Sequence, residues 1–276
     1  MDNFCLRDPR ILDWSSRRWR VLEEVLQHRP DVITLQEVDH FSFLAPALAS
    51  VGYCGRYEIV QLAQPTILLI LKCRFIPKPD SACKYIQNNN GPDGVAIFYK
   101  KSKFQSLGED HKVLEAWGAA TNQVALAMTL VEKASGREVV VVTTHLKARR
   151  GALLTNIREQ QGGDLITWVE GVREGRPVIL TGDFNAEPTE PVLETLTSNV
   201  KTPLQSSYSI SDLEYTTWKI RDSGEEKHVL DYVFHSPDLE TRRTLSMPDT
   251  REVSADKFPS LRYASDHLSL VTDIAI

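Results

Sequence analysis

Apolar and polar positions along the chain follow two different periods, and the switches between them mark out the elements. Between Ser16 and Gln27, Trp19, Leu22, Val25 and Leu26 recur at helical spacing against arginines and glutamates, which predicts an amphipathic helix ended by His28, Arg29 and Pro30. Asp31 to Val38, D-V-I-T-L-Q-E-V, reads as a buried strand, and a second helix over about Leu44 to Ser50 leads through Gly52 to a strand around Tyr53. Further strands are predicted at Val95 to Tyr99, Gln123 to Val131 and Glu138 to Thr144, the last two joined by Ala134, Ser135 and Gly136 as a hairpin. A long helix from roughly Leu153 to Val172 leads to a short buried strand, Val178 to Leu180, that ends abruptly in Gly182, Asp183, Phe184 and Asn185. Thr189 is placed to cap a following helix, with Glu190 and Pro191 in its first turn and Val192, Leu193 and Leu196 on one face. Tyr215 to Ile220 and Val229 to Phe234 read as two strands around a turn at Ser223 and Gly224, and the alternating stretch Leu268 to Ile276 closes the chain. Antiparallel hairpins thus mix with βα units, and with no repeat or linker the expectation is one α/β domain over residues 1–276.

One segment fits neither period. Ile59 to Cys73 is apolar without clear spacing, and it is followed by the rigid turn Pro77, Lys78, Pro79 and the polar loop Asn88 to Gly94. Its apolar run, Ile59 to Leu71, is interrupted by Gln61, Gln64 and Pro65 and is too short to span a bilayer, so no membrane partner is expected. The chain opens without a signal peptide, and Cys5, Cys54, Cys73 and Cys83 form no C-x-x-C pair, which favours a soluble protein of a reducing, cytoplasmic compartment. A net charge of −5 argues against a broad nonspecific nucleic-acid surface and leaves room only for a local basic pocket.

The chemistry lies where strands end. In open α/β sheets ligands bind at the carboxyl ends of strands, and there the chain places Glu37, His145, Asp183 and Asn185, with Asp266 and His267 in the S-D-H stretch before the last strand. Strand alternation predicts that Asp183 and Asn185 point to one side while Phe184 turns into the packing. Asp231 falls inside a predicted strand, where an unpaired carboxylate is expensive. Converging acids with no cysteine or multiple-histidine set suit a hard cation, Mg²⁺ or Mn²⁺. Lys78, Lys147, Arg149, Lys219 and Arg221 would suit an anionic substrate, so the residues together point to metal-assisted phosphoester hydrolysis.

L-Q-E-V-D at Leu35 to Asp39, T-H-L-K-A-R at Thr144 to Arg149, G-D-F-N-A-E-P at Gly182 to Pro188, L-D-Y at Leu230 to Tyr232 and S-D-H at Ser265 to His267 resemble, in that order, the motifs of the Mg²⁺-dependent endonuclease/exonuclease/phosphatase superfamily. The resemblance implies a four-layer α/β sandwich, two packed mixed β-sheets flanked by helices, with the site at one edge. It implies that Glu37 holds the metal with Asp266 assisting, that Asp183 orients or deprotonates the attacking water, and that Asn185 positions water or phosphate. His267, held by Asp231, would stabilise the phosphorus oxygens, and His145 would contact phosphate or support its ligands.

N-N-G-P-D-G at Asn89 to Gly94, T-N-Q-V-A at Thr121 to Ala125 and Y-T-T-W-K-I-R at Tyr215 to Arg221 are similar to one branch of that superfamily related to the poly(A) deadenylases. In that branch Lys78, Lys147, Arg149 and Arg221 imply a monomeric phosphatase that removes the 2′-phosphate of NADP⁺ and NADPH, in cytoplasm or mitochondria. The alternative is a 3′ exoribonuclease acting on poly(A) RNA. A compact cage of basic groups suits the dinucleotide, whereas RNA wants a longer basic groove with stacking platforms. Two departures favour a third reading, a catalytically weakened binding module. The first strand of the superfamily, with an asparagine of the metal site, is expected before Met1, and residues 58–74 look inserted. Asp80 also stands where an aromatic is expected.

Overall fold

A computed structural model describes residues 8–59 and 94–276. The elements run α1 (Trp14–Gln27), β1 (Val32–Leu35), α2 (Phe41–Ser50), β2 (Tyr53–Ile59), β3 (Gly94–Lys100), β4 (Phe104–Ala116), β5 (Ala119–Glu132), β6 (Glu138–His145), α3 (Ala152–Arg173), β7 (Val178–Asp183), α4 (Pro191–Thr197), β8 (Gln205–Ser206), β9 (Thr217–Arg221), β10 (Gly224–His228), β11 (Asp231–His235), β12 (Glu240–Thr244) and β13 (Thr272–Ala275). Lys78, Asp80, the loop Asn88 to Asp93 and nearly all of 58–74 lie outside the described residues. No helix among the described residues is long and apolar enough to cross a membrane.

The valine run of β6 shows why the layers form. Val140 and Val142 face one way, onto Leu165, Ile166 and Val169 of α3, while Val139 and Val141 face the other, onto Val95 and Ile97 of β3. A strand buried on both faces needs apolar side chains at every position, and this one has them. β3 repeats the device, with Val95, Ile97 and Tyr99 turned to the neighbouring sheet and Ala96 and Phe98 to Leu44 and Leu48 of α2. The order is therefore α1 and α2, the sheet β1-β3-β2, the sheet β4-β5-β6-β7-β11-β8, then α3 and α4, a four-layer sandwich as the sequence implied. β6 and β7 are parallel and the other pairs antiparallel. β1 lies at an edge of its sheet, with a partner strand on one side only among the described residues.

β6 and β7 run side by side to the same end, with His145 opposite Asp183 and Thr144 opposite Gly182. The backbones approach so closely here that a Cβ on Gly182 would lie 2.2 Å from the Thr144 carbonyl oxygen. Gly182→Ala is therefore expected to destabilise the fold by about 1–3 kcal/mol, read as a lower urea midpoint at unchanged slope.

Four local expectations are corrected. The chain reverses at Asp222 and Ser223, but β9 pairs there with an additional strand, β10, while β11 joins the large sheet beside β7. β13 covers only Thr272–Ala275, because Leu268 donates to the Thr216 carbonyl and His267 bridges to Thr217, pulling residues 267–268 towards β9. β4 was not foreseen: its exposed run Glu109 to His111 carries no alternation, and its pairing shifts register twice. Thr189 does not cap α4; Glu190 holds that position, and its carboxylate is turned to Arg158.

Candidate active site

Each chemical side chain reaches the site by a definable piece of local structure. Glu37 follows β1 after a turn in which it takes a left-handed backbone, φ 50°. Asp183 ends β7, and Phe184 is buried beneath it as strand alternation requires. Asn185 departs from that alternation: its backbone is left-handed at φ 50°, and its own N–H donates to Asp183 Oδ1 at 2.8 Å. Asn185 Nδ2 donates to the Leu146 carbonyl at 3.1 Å, tying the two motif loops together. Asp231 opens β11 directly opposite Asp183. Thr216 donates to Asp231 Oδ2 at 2.6 Å, so the buried acid has the partner its burial demands.

These residues converge. Among the imidazoles, His145 Nε2 lies 3.9 Å from Glu37 and 3.7 Å from Asp183, and His267 Nε2 lies 3.9 Å from Asp183 Oδ2 and 4.0 Å from Asp266 Oδ2. His267 Nδ1 sits 2.8 Å from Asp231 Oδ2, an Asp–His pair that fixes the ring. Lys219, only 9% exposed, enters from β9 with Nζ 2.5 Å from Asp266 Oδ2 and 3.1 Å from His267 Nε2. From its sequence Lys219 reads as one of several basic residues for an anion; the structure sets it among the acids instead. The T-T-W-K spacing gave the only hint, since Thr216 and Thr217 hold Asp231 and the Asp266 backbone.

Burial and crowding shape the electrostatics. Burial, reinforced by the Asp231 charge, raises the Asp183 carboxyl above the ordinary range. Glu37 is also raised, first by desolvation, with Asp266 and Asp183 adding to it against the pull of His145, although 55% of its side chain still faces solvent. Burial opposes ionisation of Asp266, but Lys219 and His267 hold its carboxyl well below the usual range. Desolvation likewise opposes the charge on His267, and Asp231 and Asp183 outweigh it, pushing the ring up to about 10.

The set fits a divalent cation. The carboxylates of Glu37, Asp183, Asp231 and Asp266 outnumber Lys219 and the two imidazoles even with both rings charged, and among the described residues no hydrogen-bond donor occupies Glu37. Ligand atoms of Asp183, Asp231 and His267 also lie within 4.8 Å of one another. The last two are already spent on each other and on Thr216, whereas Glu37 is exposed and has no hydrogen-bond donor among the described residues.

Beside the acids runs the loop that carries Lys147 and Arg149. Gln161 of α3 accepts from the Lys147 N–H at 3.0 Å, and Arg158 Nη1 donates to the carbonyls of Lys147 and Arg149 at 3.0 and 2.8 Å. Arg158 in turn is clamped by Glu190 through bonds of 2.6–2.9 Å. The Lys147 ammonium is desolvated and repelled by Arg149, which lowers its affinity for a proton. Arg221 lies near enough to Lys219 to oppose its charge, and it pairs with Glu226 at 3.4 Å. Arg158 and Gln161 carry no mark in the sequence, and Glu190 reads there only as a first-turn residue of a helix, because their partners lie at distant positions of the chain.

The model of the Endonuclease/Exonuclease/phosphatase family matches residues 3–267. Among known proteins the chain is 42% identical over 300 residues to "Nocturnin" of Drosophila melanogaster, covering 100% of this chain and 44% of that protein. It is 39% identical over 284 residues to "Nocturnin" of Homo sapiens, covering 99% and 61% respectively, so it spans about half the length of these relatives. The solved catalytic domain of human Nocturnin with bound sulfate superposes with a TM-score of 0.75 at 37% identity, over 96% of this chain and 87% of that one. ANGEL2, a 2′,3′-cyclic phosphatase, has the same fold at 22% identity, with a TM-score of 0.76 over 97% of this chain and 88% of that one. With acids and histidines gathered where β6 and β7 end, the chain belongs to the endonuclease/exonuclease/phosphatase family.

Proposed function

We propose that the chain is a divalent-metal-dependent phosphoester hydrolase that removes the 2′-phosphate of NADP⁺ and NADPH, yielding NAD⁺ and NADH. The observation that carries this reading is the buried Arg158, which fixes the Lys147–Arg149 loop one hydrogen bond from the Asp183–Asn185 turn. A rigid basic loop beside a carboxylate cluster suits a compact ligand with several phosphates. The similar human Nocturnin domain was solved with sulfate, an anion shaped and charged like a phosphate group.

In this reading Glu37 would hold Mg²⁺ or Mn²⁺, with Asp266 assisting. The bound ion would neutralise charge on the phosphoryl oxygens. Asp183, in contact with Asn185 and facing both imidazoles, would orient the attacking water and take its proton; its raised pKa suits a group that must accept one. Asn185 would position that water or the phosphate. His267, kept in place by Asp231, would donate to the phosphoryl oxygens as charge builds there, and His145 would brace the phosphate beside Glu37. Lys147, Arg149 and Arg221 would bind the remaining phosphates, joined by Lys78.

The alternative substrate is poly(A) RNA. The exoribonuclease subunit Ccr4 of Kluyveromyces lactis is 26% identical over 320 residues, 96% of this chain and 38% of that protein. Phosphate release from NADPH, measured beside shortening of an oligo(A) by the same preparation, decides between them. Release of phosphate with the RNA intact is expected. Degradation of the RNA alone would overturn the ranking, and failure of both would favour a binding module.

A further inference from the structure

The layer between the two sheets is apolar where Val139 and Val141 of β6 meet Val95 and Ile97 of β3, and it turns polar towards the site. There Gln36 Nε2 donates to Thr143 Oγ1 of β6 at 2.8 Å, and the hydroxyl oxygens of Thr34 in β1 and Thr181 in β7 lie 2.9 Å apart. Thr143 and Thr181 are register partners, and Thr143 is 0% exposed. Apolar contact tolerates sliding, whereas a hydrogen bond has a direction and fixes how one sheet sits on the other. The backbone of the same stretch carries an extra residue. Leu35 stands opposite Ala96, and Val38 exchanges both backbone hydrogen bonds with Gly94, at 2.9 and 3.2 Å, so Gln36 and Glu37 together oppose Val95. This is a β-bulge, a device that re-aims side chains beside active sites. Within it Glu37 takes its left-handed backbone, φ 50°, which a non-glycine residue keeps only where its surroundings impose it. Both bulge side chains leave towards β6. Gln36 meets Thr143, and Glu37 Oε1 lies 3.9 Å from Nε2 of His145, the next residue on that face of the strand.

We propose that Gln36 is a positioning residue for the divalent ion: anchored on Thr143, its amide holds the bulge that aims Glu37 at the ends of β6 and β7. β1 is four residues long and has a backbone partner on one side only among the described residues, so side chains are what tie its end to the large sheet. Glu37 has no hydrogen-bond donor of its own among the described residues, so its direction comes from the residue before it. The inference deepens the proposed metal-dependent reading of Glu37 and rests on it.

The test is a Mn²⁺ titration of the folded chain followed by electron paramagnetic resonance, with no substrate present, beside the urea midpoint of each variant. Gln36→Leu and Thr143→Val each remove the hydrogen bond at nearly constant volume, and each is expected to weaken Mn²⁺ binding about tenfold or more. Thr143→Val sets a methyl in a buried layer and leaves the amide of the half-buried Gln36 free to reach water, so its midpoint is expected not to fall. A bond that served stability alone would lower the midpoint and leave the affinity untouched. Thr143→Ser keeps the hydroxyl and is expected to bind Mn²⁺ as the wild type does. Because both changes break the same bond, the double variant is expected to bind no more weakly than the weaker single one. Should Gln36→Leu fail to fold, Thr143→Val carries the test. Affinity within about twofold of the wild type in folded Thr143→Val would overturn the role given to Gln36. A wild type that binds no Mn²⁺ would overturn the metal-dependent reading and this inference with it, a failure distinct from the first.

Discussion

Asp183→Ala and Glu37→Ala are each expected to abolish turnover without unfolding the chain. Asp183 is buried beside Asp231 and His145, and burial with the Asp231 charge works against its ionisation, so the fold gains little from the carboxylate itself. What its removal leaves behind is the Asn185 N–H, which loses an acceptor at 2.8 Å, a loss of about 1–3 kcal/mol that a domain of this size tolerates. The chemical loss is far larger. A positioned general base contributes about 10²–10⁴ in rate, and here the same carboxylate also fixes the Asn185 turn. Glu37 stands half-exposed and carries no structural hydrogen bond among the described residues, so its loss removes charge for the cation rather than packing. Phosphate release, read alongside the thermal midpoint, checks both. A variant that keeps most of its turnover would show that the role given to that residue is wrong.

Arg158→Ala should produce the largest loss of stability of any single substitution around the site. The guanidinium is 1% exposed and bonded to Glu190, to Thr155 and to the carbonyls of Lys147 and Arg149. Truncating it leaves Glu190 without its partner, leaves two carbonyls unsatisfied and opens a cavity. Breaking a buried ion pair from one side costs about 3–5 kcal/mol. Urea denaturation would register this as a midpoint far below that of the wild type, and a shift of under about 1 kcal/mol would mean that the pair is not what holds the loop. Because Arg158 spans the Lys147–Arg149 loop and the segment after Asn185, a folded fraction of this variant should also bind phosphate-bearing ligands weakly.

The sheets were legible because burial on both faces leaves a plain mark: the run from Val139 to Val142 can be little else than a central strand. The site residues were legible for a related reason, since Asp183 and His145 end apolar strands, and polar groups at such ends have a cost that function explains. β4 escaped notice because its exposed run, Leu107 to His111, does not alternate and its bulges break the period-two pattern. β10 was hidden by composition: G-E-E-K-H has the look of a turn and becomes a strand only through pairing with β9. Lys219 and Arg158 show the limit of reading one residue at a time. Each is an ordinary basic side chain until the fold sets Asp266 beside the first and Glu190 beside the second. Asn185 is the converse case, correctly grouped with Asp183 but held there by a left-handed turn and a backbone hydrogen bond instead of by strand alternation.

The most direct measurement is phosphate release from NADPH by the purified chain before and after removal of divalent ions with a chelator. Cleavage should stop when the ions are removed and return on adding Mg²⁺ or Mn²⁺, and it should be missing under all conditions in Asp183→Ala. Phosphate release that continues undiminished in the presence of chelator would contradict a cation held by Glu37 as the centre of the chemistry.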